Sequence, residues 1–79
     1  MTNTNKRIAW DEGTKAKEAH NYEDAFLCFS ECIANEPKNS KGFTKRGEVF
    51  VLMHEYAKAL YDFSFALSLL HAEKEKEAG

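Results

Sequence analysis

The sequence predicts an all-α fold in which four helices form two stacked helix-turn-helix hairpins. Three observations support this prediction. The chain resembles itself at an offset of 34 residues, apolar residues in each copy follow helical spacing, and a proline closes the first copy. A fixed period in this range is typical of proteins built from stacked repeats. The 79 residues are enough for one small domain of this kind.

The internal repeat is clear in its second half. Residues 21–37 read NYEDAFLCFSECIANEP, and residues 55–71 read EYAKALYDFSFALSLLH. The identities at this offset pair Gly13 with Gly47, His20 with His54, Tyr22 with Tyr56, Ala25 with Ala59, Phe29 with Phe63 and Ser30 with Ser64. Pairs that keep only their chemical type include Phe26 with Leu60, Cys32 with Ala66 and Ile33 with Leu67. Each copy is therefore predicted to form one unit of two helices.

The helices are predicted over about residues 6–19, 22–35, 40–53 and 56–72. Pro37 closes the first unit because proline cannot continue a helix. Ser40 is the expected N-cap of the third helix. The predicted organisation is a flexible N-terminus over 1–5, one repeat over 6–39, a second repeat over 40–73 and a charged tail over 74–79.

Small residues recur where the two helices of each unit should meet. Gly13 and Gly47 fall in mid-helix, where glycine costs about 1 kcal/mol relative to alanine. Because both units carry this cost at the same position, we expect glycine to be required there for close contact between the two helices. The residues expected to fill that contact are small or aromatic, namely Ala25, Ala59, Phe29 and Phe63.

Composition and charge exclude several classes of partner. The net charge is −2 with both signs interspersed, whereas nucleic-acid binders usually carry a basic surplus. The apolar runs are too short to span a membrane, and the start, MTNTNKRIAW, lacks the apolar core of a signal peptide. We therefore expect a cytoplasmic protein that binds neither nucleic acid nor membranes.

Cysteines and histidines show no pattern typical of a cofactor site. Cys28 and Cys32 would project side by side from one helix, which suits a disulfide poorly, so reduced thiols are expected, with Cys32 the more buried. The three histidines have no zinc-binding spacing, and His20 and His54 are interpreted as turn residues with positive φ. No metal, no other cofactor and no catalytic residue is predicted, because nucleophile motifs and phosphate loops are absent from the sequence.

The period and its residues resemble the tetratricopeptide repeat (TPR) family over nearly the whole chain. The matching residues are Gly13, Ala25, Phe29 and Pro37, more loosely Ala16 and Cys32, and then Phe43, Gly47, Phe50, Ala59, Phe63 and Ala66. The departures are Glu12 and Arg46 in place of leucine, Ala9 in place of the first aromatic, with Trp10 one residue later, and His71 in place of the closing proline. The resemblance implies a fragment of a right-handed α-solenoid.

The resemblance also implies a function. TPR domains are protein-interaction modules, used as adaptors and scaffolds, whose first helices line a groove for a peptide or a helix. The corresponding residues here are Arg7, Trp10, Asp11, Thr14, Lys17, Lys41, Thr44, Lys45, Glu48 and Val51. Cations beside a tryptophan suit an acidic or carboxylate-ended peptide. An ordinary solvated face is the alternative.

A co-chaperone function is a more specific alternative. One TPR subfamily clamps the C-terminal carboxylate of Hsp70 and Hsp90 chaperones, and the KRG of residues 45–47 resembles its Asn-Arg pair. That subfamily has a lysine where Trp10 stands and asparagines where Thr14 and Lys45 stand. It also uses basic residues from a third repeat, which this sequence lacks.

The last predicted helix carries two apolar stripes. The first, Leu60, Phe63, Leu67 and Leu70, is expected to pack within the second hairpin. The second, Tyr61, Phe65 and Leu69, is expected to lie uncovered, as a self-association or capping face. A second copy forming a homodimer, a partner protein, more of the same chain or the chain end folding back would cover it. Scattered surface aromatics, which are common, are the alternative interpretation.

Overall fold

The computed structural model describes the backbone of residues 2–78 and the side chains of residues 8–74. It contains four α-helices, α1 (Thr2–Glu18), α2 (Tyr22–Asn35), α3 (Ser40–Leu52) and α4 (Tyr56–Ala78). No strand occurs in these residues, so the all-α prediction is confirmed. None of the four helices, over the part searched, has both the length and the apolar character needed to cross a membrane.

The two outer helices are longer than the sequence pattern predicts. Residues 2–5, expected to be a flexible end, belong to α1, and residues 74–78 of the expected tail continue α4. The second unit has His71 where the first has its closing proline, so nothing stops α4 at that point. The residues that follow are mostly glutamate, lysine and alanine, which are strong helix formers.

Helices that are consecutive in the chain pack against each other. The α1–α2 and α3–α4 hairpins are joined by packing of α2 against α3. The main core cluster of buried residues consists of Ala9, Ala25, Phe29, Cys32 and Val49. Further buried apolar residues are Phe43, Phe50, Ala59 and Ala66. Helix α2 therefore lies between α1 and α3 and supplies the centre of the core.

The mid-helix glycines are in close contact with the opposite helix, as predicted. A Cβ atom built on Gly13 would lie 2.7 Å from Cε1 of Phe29. A Cβ atom built on Gly47 would lie 2.5 Å from Cε1 of Phe63. Both distances are far below van der Waals contact, so any side chain at either position would displace the ring. In each hairpin, the ring of the equivalent phenylalanine therefore packs directly against the glycine of the opposite helix.

The two interhelical turns are also copies of each other. His20 and His54 have φ of 66° and 63°, which confirms their interpretation as turn residues. In each turn the amide of the next residue donates to a carbonyl five residues earlier, at 2.8 Å, which is the Schellman ending of a helix. The histidine Nδ1 atoms lie 2.9 and 2.8 Å from the hydroxyls of Tyr22 and Tyr56, so a tyrosine holds each ring in place.

The start of α3 differs from the prediction in one residue. Asn39, not Ser40, caps the helix, because its backbone is extended and its Oδ1 accepts a hydrogen bond from the Lys41 amide at 3.0 Å. Its Nδ2 donates to Oε1 of Glu36 at 2.9 Å. Asparagine is as good an N-cap as serine, and here it has the right backbone conformation. Pro37 follows the end of α2 closely, as expected.

The prediction for the first apolar stripe of α4 is wrong for three of its four residues. Leu60 and Leu67 are 67% and 68% exposed, and Leu70 is also exposed. Phe63, the fourth, packs on Gly47 as expected. The residues of α4 that are buried are instead Ala59, Asp62 and Ala66. Since Gly47 brings α3 very close, the inner line of α4 has room mainly for small side chains, and the leucines fall on a flanking face.

Candidate functional site

Four of the predicted groove residues meet at one cleft between α1 and α3. Trp10 contributes from α1, and Lys41, Thr44 and Lys45 contribute from α3, together with the cap residue Asn39. The cleft has a volume of about 460 Å³. Trp10, Thr44 and Lys45 are half-buried, and Lys41 is exposed. The first turns of α3 and the middle of α1 thus form its walls.

The tryptophan of the cleft is anchored to the core from behind. Its ring centroid lies 6.0 Å from that of Phe29, with the two planes tilted by 53°. Because Phe29 is fully buried, Trp10 is held in position, and its outer part forms an apolar wall of the cleft. An anchored aromatic ring of this kind loses little conformational entropy when it binds a ligand.

The lysines give the cleft a positive charge. Within the described side chains, neither Lys41 nor Lys45 forms an ion pair, whereas Lys17 and Lys58 do. Lys41 also lies in the first turn of α3, where the helix dipole is positive. The hydroxyl of Thr44 donates to the carbonyl of Ser40 at 3.1 Å, so its proton is used within the helix. The cleft therefore combines one apolar ring with two ammonium groups that pair with none of the described acidic side chains.

The other predicted groove residues lie outside the cleft lining. Nζ of Lys17 and Oε1 of Glu48 form a 2.9 Å ion pair that bridges α1 and α3. The hydroxyl of Thr14 donates to the carbonyl of Trp10 at 3.0 Å. Asp11 and Val51 are exposed. The predicted contribution of Arg7 lies outside the side chains that the structure describes.

A second cleft of about 460 Å³ lies where α2, α3 and α4 meet, and Arg46 lines it. Its Nε and Nη2 donate to the two carboxylate oxygens of Asp62, at 2.7 and 3.0 Å. Its Nη1 donates to the hydroxyl of Ser30 at 3.2 Å. Asp62 is only 1% exposed, so this two-point ion pair is largely withdrawn from water.

Aromatic rings surround the same guanidinium. The centroids of Phe26, Phe43 and Phe50 lie 5.8 to 6.0 Å from its central carbon, within the range of cation–π attraction. From the sequence alone, Arg46 stands out only as a departure from leucine. In the structure its hydrogen bonds to Ser30 and Asp62 link α3 to both α2 and α4. One sequence signal was available, since both members of the pair change between the two units, with Glu12 and Cys28 at the equivalent positions.

The predicted self-association residues are only partly uncovered. Tyr61 is 69% exposed and borders the second cleft. The ring of Phe65 packs on that of Phe43, with centroids 4.5 Å apart. Leu69 is half-buried. Because Phe65 packs on α3 of the same hairpin and Leu69 is half-buried, the three residues do not form one continuous free face, although part of Phe65 remains exposed.

No family model matches the chain, and no solved structure matches it. Among the residues that the structure describes, no three histidine, cysteine or acidic side chains are grouped closely enough to hold a metal ion.

Both cysteines are free thiols, as expected, with Cys28 half-buried and Cys32 buried. Burial raises the pKa of the Cys32 thiol from 9.0 to about 11, with smaller contributions from Cys28 and from nearby acidic residues. Burial also raises the pKa of Cys28, and the charge of Glu12 adds to this effect. Both thiols are therefore protonated and poorly nucleophilic at neutral pH.

The raised pKa of Cys32 gives a pH-dependent contribution to stability. The folded chain holds this proton more tightly than the unfolded chain, so the contribution is complete below pH 9.0 and is lost as pH rises toward about 11. We expect urea midpoints to fall more steeply in this window for the wild type than for Cys32→Ala. Equal slopes in the two proteins would contradict this assignment.

Proposed function

We propose that this chain is a protein–protein interaction module, acting as an adaptor or scaffold, that binds an acidic peptide segment of a partner protein in the α1–α3 cleft. The observation that carries the proposal is the placement of Lys41 and Lys45 beside Trp10, with no ion pair to either lysine among the described side chains. The earlier resemblance to the TPR family supports the same function.

The chemistry of the cleft fits a short peptide with at least two carboxylates and an apolar group. Ammonium groups form charge-assisted hydrogen bonds with carboxylates, which are stronger than bonds between neutral groups. The outer part of the Trp10 ring offers a surface for an aliphatic or aromatic side chain. A volume of about 460 Å³ accommodates a few side chains. We assign the module no cofactor and no catalytic role, and we place it in the cytoplasm.

The co-chaperone function is a weaker candidate. It would use the basic residues around KRG to clamp a terminal carboxylate, but the guanidinium of Arg46 is bonded to Asp62 and Ser30. That leaves Lys41 and Lys45 as the cations that face the cleft. We therefore favour internal acidic segments and treat a chaperone tail as one case to compare.

The proposal is tested by titrating the protein with an array of short acidic peptides that each contain one aromatic residue. Trp10 is the only tryptophan of the chain, so its emission reports binding directly. We expect the best peptide to bind with a Kd on the order of micromolar, because the contact area is small. Replacing Lys41 and Lys45 with alanine should weaken binding about tenfold or more, since two charge-assisted contacts are lost.

The matched control is the double variant Lys15→Ala/Lys38→Ala, which removes the same charge from exposed positions outside the cleft lining. It should bind nearly as tightly as the wild type. Equal weakening in both double variants would show a general charge effect and contradict the proposed cleft. Binding that leaves Trp10 emission unchanged would place the peptide elsewhere and also contradict it.

A further inference from the structure

One largely apolar face of α4 is covered by no other helix within the part of the chain that the structure describes. Leu60, Ser64 and Leu67 are spaced as i, i+4 and i+7, so they share this face, and all three are exposed. Beside Leu67 and Leu70 lies a depression of about 750 Å³ whose described lining residues all belong to α4. We call Leu60, Ser64 and Leu67 the α4 outer face. It is separate from the α1–α3 cleft and from the stripe formed by Tyr61, Phe65 and Leu69.

The internal repeat shows what such a face binds. At the offset of 34 residues, the α4 outer face corresponds to Phe26, Ser30 and Ile33 of α2. In the first unit these three residues are half-buried, and the helix that packs against them is α3. Among the described residues, α3 therefore occupies the α2 copy of this face, and no other helix occupies the α4 copy.

The contacts of the occupied copy are specific. The ring of Phe26 packs on that of Phe50, with centroids 5.5 Å apart. The hydroxyl of Ser30 accepts a hydrogen bond from Arg46 at 3.2 Å.

The third contact requires a glycine. A Cβ atom built on Gly42 would lie 2.8 Å from Cγ1 of Ile33, so α3 approaches α2 too closely there for a side chain. The binding helix thus presents a small, a basic and an aromatic residue at intervals of four, namely Gly42, Arg46 and Phe50.

From this pairing we infer that the α4 outer face binds a helix of a partner protein with the same pattern. Its small residue would lie against Leu67, its basic residue would donate to the hydroxyl of Ser64, and its aromatic residue would pack on Leu60. The helix would run along α4 as α3 runs along α2. The chemistry of the α4 outer face is conserved in type from α2, since both copies read large apolar, serine, large apolar.

A second copy of this chain does not fit the same role. Its free first helix, α1, carries Ile8 and Glu12 where α3 carries Gly42 and Arg46. An isoleucine cannot enter a contact that leaves no room for one methyl group, and a glutamate cannot donate to Ser64. The matching face of α3 is already occupied by α2. Head-to-tail stacking of identical chains is therefore ruled out in this geometry.

The test uses a labelled peptide of residues 40–52, which carries the required pattern, added to the folded 79-residue chain. The substitution Lys41→Glu in the peptide allows a side-chain lactam with Lys45, which would hold the peptide helical. These positions are suitable for the lactam because in the protein they face α1 and not α2. We expect saturable binding by fluorescence anisotropy, with a Kd on the order of micromolar to tens of micromolar. Leu67→Glu in the protein should weaken binding about tenfold or more.

Matched controls separate this face from other surfaces. Leu27→Glu changes a leucine of α2 that is 62% exposed and lies outside the α4 outer face, and it should leave binding unchanged. A peptide with Gly42→Leu should bind at least about tenfold more weakly, because its side chain meets Leu67. Circular dichroism of Leu67→Glu should match the wild type, since the side chain is largely in water.

The inference is overturned if the peptide does not bind, or if Leu67→Glu and Leu27→Glu bind it equally. Binding that survives Leu67→Glu would mean that the peptide replaces α3 in its own position. Because Lys41→Ala/Lys45→Ala leaves the α4 outer face intact, this variant should still bind the peptide. The two proposals therefore succeed or fail independently.

Discussion

The variant Asp62→Ala is expected to lose about 3 kcal/mol of unfolding free energy, because it leaves the partly buried charge of Arg46 without its partner. Asp62 is 1% exposed and receives two hydrogen bonds from that guanidinium. For a domain of this size, such a loss corresponds to a fall in Tm of roughly 12–24 °C. Thermal unfolding followed by circular dichroism measures the change.

The control for this prediction is Asp11→Ala, which removes an exposed carboxylate from α1 and should alter Tm by a few degrees at most. The double variant Arg46→Met/Asp62→Leu adds a sharper comparison. Since hydrophobic residues often replace a buried ion pair with little loss, it should be more stable than Asp62→Ala alone. If Asp62→Ala has the same Tm as the wild type, the ion pair between Arg46 and Asp62 does not stabilise the fold.

The variant Gly47→Leu is expected to destabilise the second hairpin by about 2 kcal/mol, or roughly 8–16 °C in Tm. Leucine favours a helix by about 1 kcal/mol over glycine, so a surface position would gain stability. Here even the first carbon of the side chain would lie 2.5 Å from the ring of Phe63. Overpacking therefore outweighs the helix propensity, and the helices must move apart.

Two variants test this explanation. Ala57→Leu adds a leucine to α4 at an exposed position and should leave Tm nearly unchanged. Gly47→Leu/Phe63→Ala removes the ring that the new side chain meets, so its loss should be clearly smaller than the sum of the two single losses. Additive losses would mean that Gly47 and Phe63 are not in direct contact.

Contacts that occur in both units were predictable from the sequence. Gly13 with Phe29 and Gly47 with Phe63 repeat at one offset, and each pair needs a glycine for the same steric reason. The histidine turns are similar, because a positive φ at the end of a helix is a local backbone requirement. In both cases the physical constraint is short-range and is present in duplicate.

Contacts made by only one unit were harder to predict. Arg46 and Asp62 are 16 residues apart on different helices, and no spacing rule brings such residues together. The orientation of Leu60 and Leu67 was missed for a different reason. Leucine suits an inner or an outer face equally, and the choice depended on how closely α3 approaches α4.

The cleft was predicted in part. Trp10, Lys41, Thr44 and Lys45 meet because first helices of successive units lie side by side, which the repeat already implies. The pairing of Lys17 with Glu48 depends on the distance between two flexible side chains, which a sequence pattern does not contain. The sequence therefore indicated the helices that form the cleft but not every side chain that lines it.

The order in which the helices pack has a kinetic consequence. Each helix finds its main neighbour immediately before or after it in the chain. Contacts at short sequence separation give a low contact order, and chains of low contact order reach the native state quickly. We therefore expect rapid folding, because no helix has to search through distant segments of the chain for its main neighbour.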